Sequence, residues 1–317
     1  MEQAPEDDQL SNLPTITDCC SAFPVVLYKA HYLFKDTLLG VLSARHHFQA
    51  RPTDILLASL PKSGTTWLKA LAFSSLYRAS LPDVSDLRHP LRVSNPHHVV
   101  HNIEIESNLD FSSMPSPRLL STHVPFDLLP TSIADSGSKI IYVCRNPKDN
   151  FVSSWHFWNR MRERAGEEPI PLEASFDQFC DGVSAMGPYW NHVAGYWNAS
   201  GGNDAKVLFV KYEDMIADPI GELKRVAGFM GCPFTEEEEE RGGVAEGIVR
   251  LCGFESLSNL EVNREGVIET TTLGDFENKF FFRRGGVGGW GSLLSPEMGR
   301  RLDEITASKF AGTGLSV

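Results

Sequence analysis

Asp54-Ile-Leu-Leu-Ala-Ser-Leu-Pro-Lys-Ser-Gly-Thr-Thr-Trp67 is the stretch of this chain that decides its fold. Its first seven residues form a short apolar block that ends at Pro61, a pattern typical of a strand buried on both faces of a parallel sheet. The residues from Thr66 onwards have the apolar spacing of a helix. The sequence therefore predicts a strand, a tight turn that contains Lys62 and Gly64, and a helix.

The strand pattern recurs at three later places. Apolar runs stand at 119–122, 139–144 and 206–212, and helical stretches follow the last two. Strands that alternate with helices indicate a parallel α/β sheet, in which ligands bind beyond the carboxyl ends of the strands. We expect the folded part to begin at about residue 21, because residues 1–20 lack apolar periodicity and are predicted to be disordered.

Composition argues against several classes of protein. The chain has 317 residues and a formal net charge of -12, which disfavours a binder of nucleic acid or of anionic membranes. Its acidic N-terminus lacks the basic start and apolar run of a secretory signal, and no apolar stretch approaches the roughly 18 residues of a membrane span. Six scattered cysteines without a CxxC pair favour a reducing compartment and no structural zinc. We therefore expect a soluble, cytoplasmic protein.

The turn at 60–67 has the composition of an anion site. A turn that enters a helix N-terminus directs backbone N–H groups and the positive end of the helix dipole at an anion, and Lys62, Ser63, Thr65 and Thr66 add donors. It is not a Walker A loop, because that motif places the lysine after its last glycine. An ordinary turn capped by serine or threonine is the alternative reading.

A second candidate anion site lies at residues 142–154, again where a strand meets a helix. Arg145 follows the strand and is able to make a bidentate contact with a phosphate, and Ser153 lies two turns further along. Two anion sites on neighbouring strands suit a nucleotide with phosphates at both ends. The alternative is that Arg145 pairs with Asp149 across a surface turn.

Two weaker motifs add to this pattern. At 280–290, Arg283 and Arg284 precede a run of glycines that is able to wrap around a phosphate, although a flexible basic loop has the same composition. His123 follows the apolar run at 119–122, so it is expected at the functional edge of the sheet. There it is able to take a proton from a hydroxyl near neutral pH, whereas a histidine of this kind taken alone is more often structural.

Taken together and in order, five motifs resemble the cytosolic sulfotransferase family. They are PKSGTTW, STHVP, YVCRNPKDNFVSSWHFW, VLFVKYEDM and FFRRGGVGGW. The match covers about residues 50–305, and HPL, NPH, GPYWNHVAGYW and LSPEM resemble the plant branch. The resemblance implies one α/β domain over residues 21–317, built around a sheet that binds 3′-phosphoadenosine 5′-phosphosulfate (PAPS), with a P-loop-like turn for its 5′-phosphosulfate group.

The resemblance also implies a role for each matching residue. The 5′-phosphosulfate end would be held by Lys62, Ser63, Gly64, Thr65 and Thr66. The adenine would be held by Trp67, Tyr212 and Phe254, and the 3′-phosphate by Arg145, Ser153, Arg283, Arg284 and Gly285. His123 would be the general base, Lys62 would stabilise the leaving phosphate, and Ser153 would engage that lysine before the acceptor arrives. The partner would be a small hydroxylated acceptor of phenolic, flavonoid or steroid type, and no metal is implied.

The last motif departs from the family pattern RKGxxGDWK. Arg284 replaces lysine, Gly289 replaces aspartate and Gly291 replaces lysine. Glycines raise the entropic cost of ordering a loop, so we expect weaker closure over the nucleotide. Two alternatives stay open: a non-catalytic protein that binds the product 3′-phosphoadenosine 5′-phosphate (PAP) or another nucleotide, and a nucleotide kinase or NTPase. The sequence indicates neither the acceptor nor the oligomeric state.

Overall fold

Four parallel strands form the central sheet of the computed structural model, which describes residues 12–17, 23–202, 206–270 and 275–317. In these parts of the chain the strands are β1 (Thr15–Ile16), β2 (Val25–Tyr28), β3 (His31–Phe34), β4 (Ile55–Ser59), β5 (Leu119–Thr122), β6 (Lys139–Cys144), β7 (Val207–Lys211), β8 (Val267–Ile268) and β9 (Phe276–Glu277). The helices are α1 (Lys35–His47), α2 (Thr65–Leu76), α3 (Pro90–Val93), α4 (Pro96–Val99), α5 (Thr131–Asp135), α6 (Pro147–Arg164), α7 (Leu172–Cys180), α8 (Tyr189–Ser200), α9 (Tyr212–Ala217), α10 (Pro219–Met230), α11 (Glu236–Gly242), α12 (Val244–Cys252), α13 (Phe254–Ser258), α14 (Glu261–Glu265) and α15 (Pro296–Lys309).

The central sheet has the order β5-β4-β6-β7. All five residues of β4 are buried, and this strand pairs with β5 on one side and β6 on the other. Leu56 and Ala58 belong to one hydrophobic cluster, whereas Ile55 and Leu57 belong to another, because side chains alternate between the two faces of a strand. A sheet covered on both faces explains the continuous apolar runs, and it confirms the predicted single α/β domain.

A small antiparallel sheet, β1-β2-β3, precedes the central sheet. Its first strand, β1, lies inside the segment 1–20 for which the sequence predicted no fixed structure, and Thr15 pairs with Val26. Residues 1–11 and 18–22 lie outside the described parts of the chain, so the rest of that prediction stays a prediction.

The segment 235–290 has few strong strand or helix signals in its sequence, yet it contains several helices. It forms α11 to α14 and the short strands β8 and β9, apart from residues 271–274, which lie outside the described parts. The run of glutamates at 236–240 is typical of a solvated helix start, and α11 indeed begins at Glu236. A capping box joins Thr235 and Glu238. The other helices in this segment have five to nine residues and depend on packing, which short sequence windows do not reveal.

The residues that follow the four central strands lie along the carboxyl edge of the sheet. Leu60, His123, Arg145 and Tyr212 each follow directly after the last residue of a different strand. A parallel sheet brings all four chain exits to one side, where ligands of open α/β sheets bind. Within the described residues, none of the helices has the length and apolarity needed to cross a bilayer.

Candidate active site

A cavity of about 450 Å³ lies at this edge. The predicted site residues that line it are Lys62, Gly64, Thr65, Thr66, Trp67, His123, Arg145, Ser153, Tyr212, Phe254, Arg283, Arg284 and Gly285. Ser63 does not line the cavity: its hydroxyl is buried and accepts a hydrogen bond from the Asn150 side chain at 3.0 Å. The fold therefore brings together the predicted residues, with the Ser63 side chain as the exception.

The turn between β4 and α2 has an unusual backbone. Gly64 has φ of 109°, and a Cβ atom there would lie 2.6 Å from the Tyr212 ring, so both conformation and space require glycine. Lys62 has φ of 68°, which is uncommon for a residue with a side chain. The Asn150 amide donates to the Pro61 carbonyl at 2.8 Å and holds the turn from α6. The first turn of α2 consequently faces the cavity with its free N–H groups.

Positive side chains converge on this turn. The Lys62 ammonium lies 4.0 Å from the centre of the Phe157 ring. Burial, together with the nearby charges of Arg145, Arg160 and Arg283, lowers the pKa of Lys62 to about 7. Buried like charges repel, so an anion in the cavity would stabilise this group of side chains.

Arg145 and Arg283 also have hydrogen-bond donors that are not used. The Nε atoms of Arg145 and Arg283 are buried and have no hydrogen-bond partner among the residues that the structure describes. The pKa of Arg283 is lowered by burial and then by Arg145. Because a buried donor without a partner costs about 1–3 kcal/mol, these atoms indicate a ligand with acceptor oxygens.

The glycine-rich loop after Phe282 closes one side of the cavity. Gly285 and Gly286 have φ of 65° and 79°, conformations that favour glycine. The Arg145 guanidinium donates to the Gly286 carbonyl at 3.0 Å, and the Gly286 N–H donates to the Tyr212 hydroxyl at 3.2 Å. The loop is thus bound to residues at the ends of β6 and β7.

Asp149 holds the next part of this loop. Its carboxylate is 2% exposed and accepts hydrogen bonds from the N–H groups of Gly288 and Trp290, at 2.7 and 2.9 Å. The alternative of a surface turn with Asp149 paired to Arg145 is therefore wrong: this carboxylate is buried and binds loop backbone. Asp149 and Asn150 were not predicted to be site residues, although both lie inside the PKDN part of the second motif.

Three aromatic residues stand beside the cations. Trp67 and Tyr212 pack edge to face, with ring centres 5.7 Å apart. Phe254 is 38% exposed and lines the cavity, and a Cβ atom on Gly285 would lie 2.9 Å from its ring. An exposed phenylalanine at the mouth of a cavity offers a flat apolar surface to a ligand.

His123 is fixed by its own hydrogen bonds. Its Nδ1 donates to the Ser59 carbonyl at 2.8 Å, and its backbone N–H donates to Glu104 at 2.6 Å. With the proton on Nδ1, Nε2 carries a free lone pair. Burial lowers the pKa of His123 to about 4, with Lys69 and Lys62 acting in the same direction, so the imidazole is neutral at physiological pH.

Another part of the cavity lining is apolar. It includes Phe34, Phe157, Trp158, Met186, Phe276 and Phe281. The rings of Phe157 and Phe276 are stacked at 5.8 Å with an interplanar angle of 17°. Such a surface binds flat or bulky apolar molecules. In the described parts of the chain, no group of three or more His, Cys, Asp or Glu side chains is arranged to hold a metal ion.

Comparison with known proteins gives a consistent result. Residues 52–314 match the sulfotransferase domain family. Cytosolic sulfotransferase 17 of Arabidopsis thaliana is 45% identical over 295 residues, which cover 92% of this chain and 84% of that protein. Cytosolic sulfotransferase 12 of the same plant is 47% identical over 284 residues, covering 88% and 83%.

Solved structures agree with these relatives. An Arabidopsis thaliana putative steroid sulphotransferase superposes with a TM-score of 0.77 at 36% identity, covering 98% of this chain and 94% of that one. Mouse sulfotransferase SULT7A1, solved with PAP, gives a TM-score of 0.69 at 25% identity, covering 91% and 94%.

Proposed function

Because this chain belongs to the sulfotransferase family, we propose that it transfers a sulfuryl group from PAPS to a hydroxyl of a small organic acceptor. The observation that carries the proposal is the convergence of Lys62, Arg145 and Arg283 in a buried cavity that also contains a neutral His123. The cytosolic names of its relatives support a place in the cytoplasm.

The lining residues fit the nucleotide. In our proposal Arg145, Ser153, Arg283, Arg284 and Gly285 hold the 3′-phosphate, because the two buried Nε donors require acceptors of the kind that phosphate supplies. PAPS, when bound, supplies the sulfuryl group and a leaving phosphate. The mouse relative solved with PAP supports this nucleotide class.

The remaining contacts with the nucleotide involve other residues that line the cavity. Trp67, Tyr212 and Phe254 contact the adenine, and the turn of Lys62, Gly64, Thr65 and Thr66 surrounds the 5′ end of the nucleotide. Ser63 contributes its backbone only, since its hydroxyl accepts from Asn150.

Two side chains, His123 and Lys62, take part in the proposed reaction. His123 accepts the hydroxyl proton on Nε2, while the Nδ1–H bond to the Ser59 carbonyl stabilises the imidazolium that forms. As the new S–O bond to the acceptor forms, the S–O bond to the 5′-phosphate breaks, and Lys62 stabilises the charge that develops on the departing oxygen. Ser153, which lines the same cavity, engages Lys62 before the acceptor arrives.

The aromatic lining supports a phenolic, flavonoid or steroid acceptor, because planar rings and fused ring systems bury large apolar areas against phenylalanine and tryptophan. The relative described as a putative steroid sulphotransferase is consistent with that range. We do not adopt the non-catalytic and kinase alternatives, since the family is one of sulfotransferases and Arg283 and Arg284 both line the cavity.

The proposal is tested by radiolabelled transfer from PAPS to a mixed panel of phenols, flavonoids and steroids. We expect labelled product with at least one class and none with ATP as donor. Wild-type protein that binds PAP but labels no member of the panel would contradict catalysis, and preference for ATP over PAPS in calorimetry would contradict the nucleotide.

A further inference from the structure

Three polar side chains form a chain of hydrogen bonds behind the phosphosulfate turn. The Lys69 ammonium donates to the Val100 carbonyl at 2.9 Å and lies 3.1 Å from His97 Nδ1. His97 Nε2 in turn lies 2.9 Å from the Thr66 hydroxyl. Thr66, Lys69 and His97 all line the cavity, and Lys69 is 1% exposed.

The protons of this chain are fixed by its chemistry. An ammonium group has no lone pair, so His97 Nδ1 must accept from Lys69. A neutral imidazole that accepts on Nδ1 carries its proton on Nε2, and His97 therefore donates to the Thr66 oxygen. The Thr66 hydroxyl, having accepted one hydrogen bond, retains its own proton for a different partner.

The charge states of Lys69 and His97 agree with hydrogen bonds donated from Lys69 to His97 and from His97 to Thr66. Burial lowers the pKa of Lys69 to about 8, so the ammonium form prevails at neutral pH. Burial likewise lowers the pKa of His97 well below its usual range, so the imidazole is neutral. The His97 ring also stacks on Phe281 at 4.3 Å, which fixes its plane.

We propose that His97 is a positioning residue that orients the Thr66 hydroxyl as a donor to the 5′-terminal oxygens of the bound nucleotide, with Lys69 polarising the chain from behind. The inference rests on the proposed function, because it requires a phosphate or phosphosulfate in the turn. A preoriented hydroxyl costs little reorganisation when the anion binds.

A structural role for His97 predicts something different. His97 packs on Phe281, and its backbone N–H donates to the Asn95 side chain. If packing were its only contribution, another aromatic ring would serve as well, and Thr66 would not matter to the effect of replacing His97.

The test is a double-mutant cycle with His97→Phe and Thr66→Val. Affinities for PAP and for adenosine 3′-monophosphate, which lacks the 5′-phosphate, are measured by calorimetry on the full chain. We expect His97→Phe to weaken PAP binding about tenfold and to leave the monophosphate within twofold. In the Thr66→Val background, the same replacement should change PAP binding by less than about twofold.

Two further variants keep the test decisive. His97→Gln retains a donor to Thr66 and should restore PAP binding to within about threefold of wild type. If His97→Phe does not fold, as judged by thermal melting, Lys69→Met replaces it in the cycle with Thr66→Val, and non-additivity is again expected.

Two results would overturn the inference while leaving the proposed function intact. These are additive effects in the cycle, and equal losses for PAP and the monophosphate, in a protein whose wild type binds PAP and transfers sulfuryl groups. Wild-type protein that binds neither nucleotide would overturn both.

Discussion

The cationic and the aromatic parts of the cavity lining are built in different ways. After the proposed function, we call the cationic part the nucleotide end and the aromatic part the acceptor end. At the nucleotide end, Arg145 and Tyr212 are the first residues after their strands, and the turn from β4 to α2 adds its donors beside them. At the acceptor end, the lining rings come from distant segments, with Phe34 on β3, Phe157 on α6 and Phe276 on β9.

This difference separates two kinds of specificity. Hydrogen bonds to phosphate depend on distance and angle, so the nucleotide end needs particular residues at particular positions of the sheet edge. Apolar contacts depend mainly on area and shape, so the aromatic end tolerates changes of residue. Under the proposed function, recognition of the nucleotide therefore depends on residues at the sheet edge, whereas recognition of the acceptor depends on side chains that the rest of the chain supplies.

The largest effect is expected from His123→Ala, which removes the proposed base where the two ends meet. Transfer should fall about 10²- to 10⁴-fold, while PAP affinity stays within about threefold, since the imidazole acts on the acceptor. Steady-state kinetics and calorimetry measure the two quantities, with exposed His47→Ala as the control. Turnover retained within tenfold would contradict the assignment.

Next comes Arg145→Ala at the nucleotide end. Loss of a charge-assisted contact should weaken PAP binding about 10- to 100-fold and leave adenosine 5′-monophosphate, which lacks the 3′-phosphate, nearly unchanged. Arg283→Ala should behave alike. Equal losses for both nucleotides, measured by calorimetry, would mean that these arginines do not recognise the 3′-phosphate.

The pH dependence of PAP binding should reflect Lys62. Its pKa is about 7 in the free protein, and a bound anion favours the ammonium and raises that pKa. Affinity is therefore full below pH 7 and falls as pH rises above it, by at most about tenfold per unit, until the pKa of the complex is reached. Calorimetry from pH 7 to about 9 should show this slope.

Two variants separate the contributions of Lys62 and Lys69, which both line the cavity, to the pH dependence of PAP affinity. Lys62→Met should remove the part that begins near pH 7, and Lys69→Met only the part that begins near 8. Unchanged PAP affinity across the range in wild type would refute the role of Lys62.

A smaller effect is expected from Phe276→Leu at the acceptor end. The ring stacks on Phe157, so its loss should raise KM for a flat aromatic acceptor by about threefold and leave PAP affinity unchanged. A change in PAP affinity instead would show that the two ends are not separate.

The smallest effect concerns Gly289→Asp, which restores the residue usual in the family. A Cβ atom there would lie 3.4 Å from the Arg284 guanidinium and 3.7 Å from an Asp149 oxygen. The new carboxylate would therefore be attracted by Arg284 and repelled by Asp149. PAP affinity should change by less than about threefold. Hydrogen exchange of the loop with and without PAP tests the expected flexibility, and protection without PAP would mean that its contacts with Asp149, Arg145 and Tyr212 already order it.

Part of this molecule was predictable from short windows of sequence. The four central strands lie within one residue of the predicted runs, because apolar residues buried on both faces leave a continuous signal. The donors of the 60–67 turn were predictable for a related reason, since a strand, a glycine and a helix start fix the chain locally. The strand β1 and the helices of 235–265 gave weak signals because their stability comes from packing.

Sequence alone indicated the strands of the sheet and the anion-binding composition of the 60–67 turn, since each of these patterns lies within a short stretch of the chain. Tertiary structure alone decided that Asp149 holds the glycine-rich loop, that Ser63 turns to Asn150, and that His97 meets Thr66. It also decided which rings line the cavity. The three hydrogen bonds join residues that are 31, 87 and 139 positions apart. Contacts over such separations form only when the sheet and its helices bring the segments together.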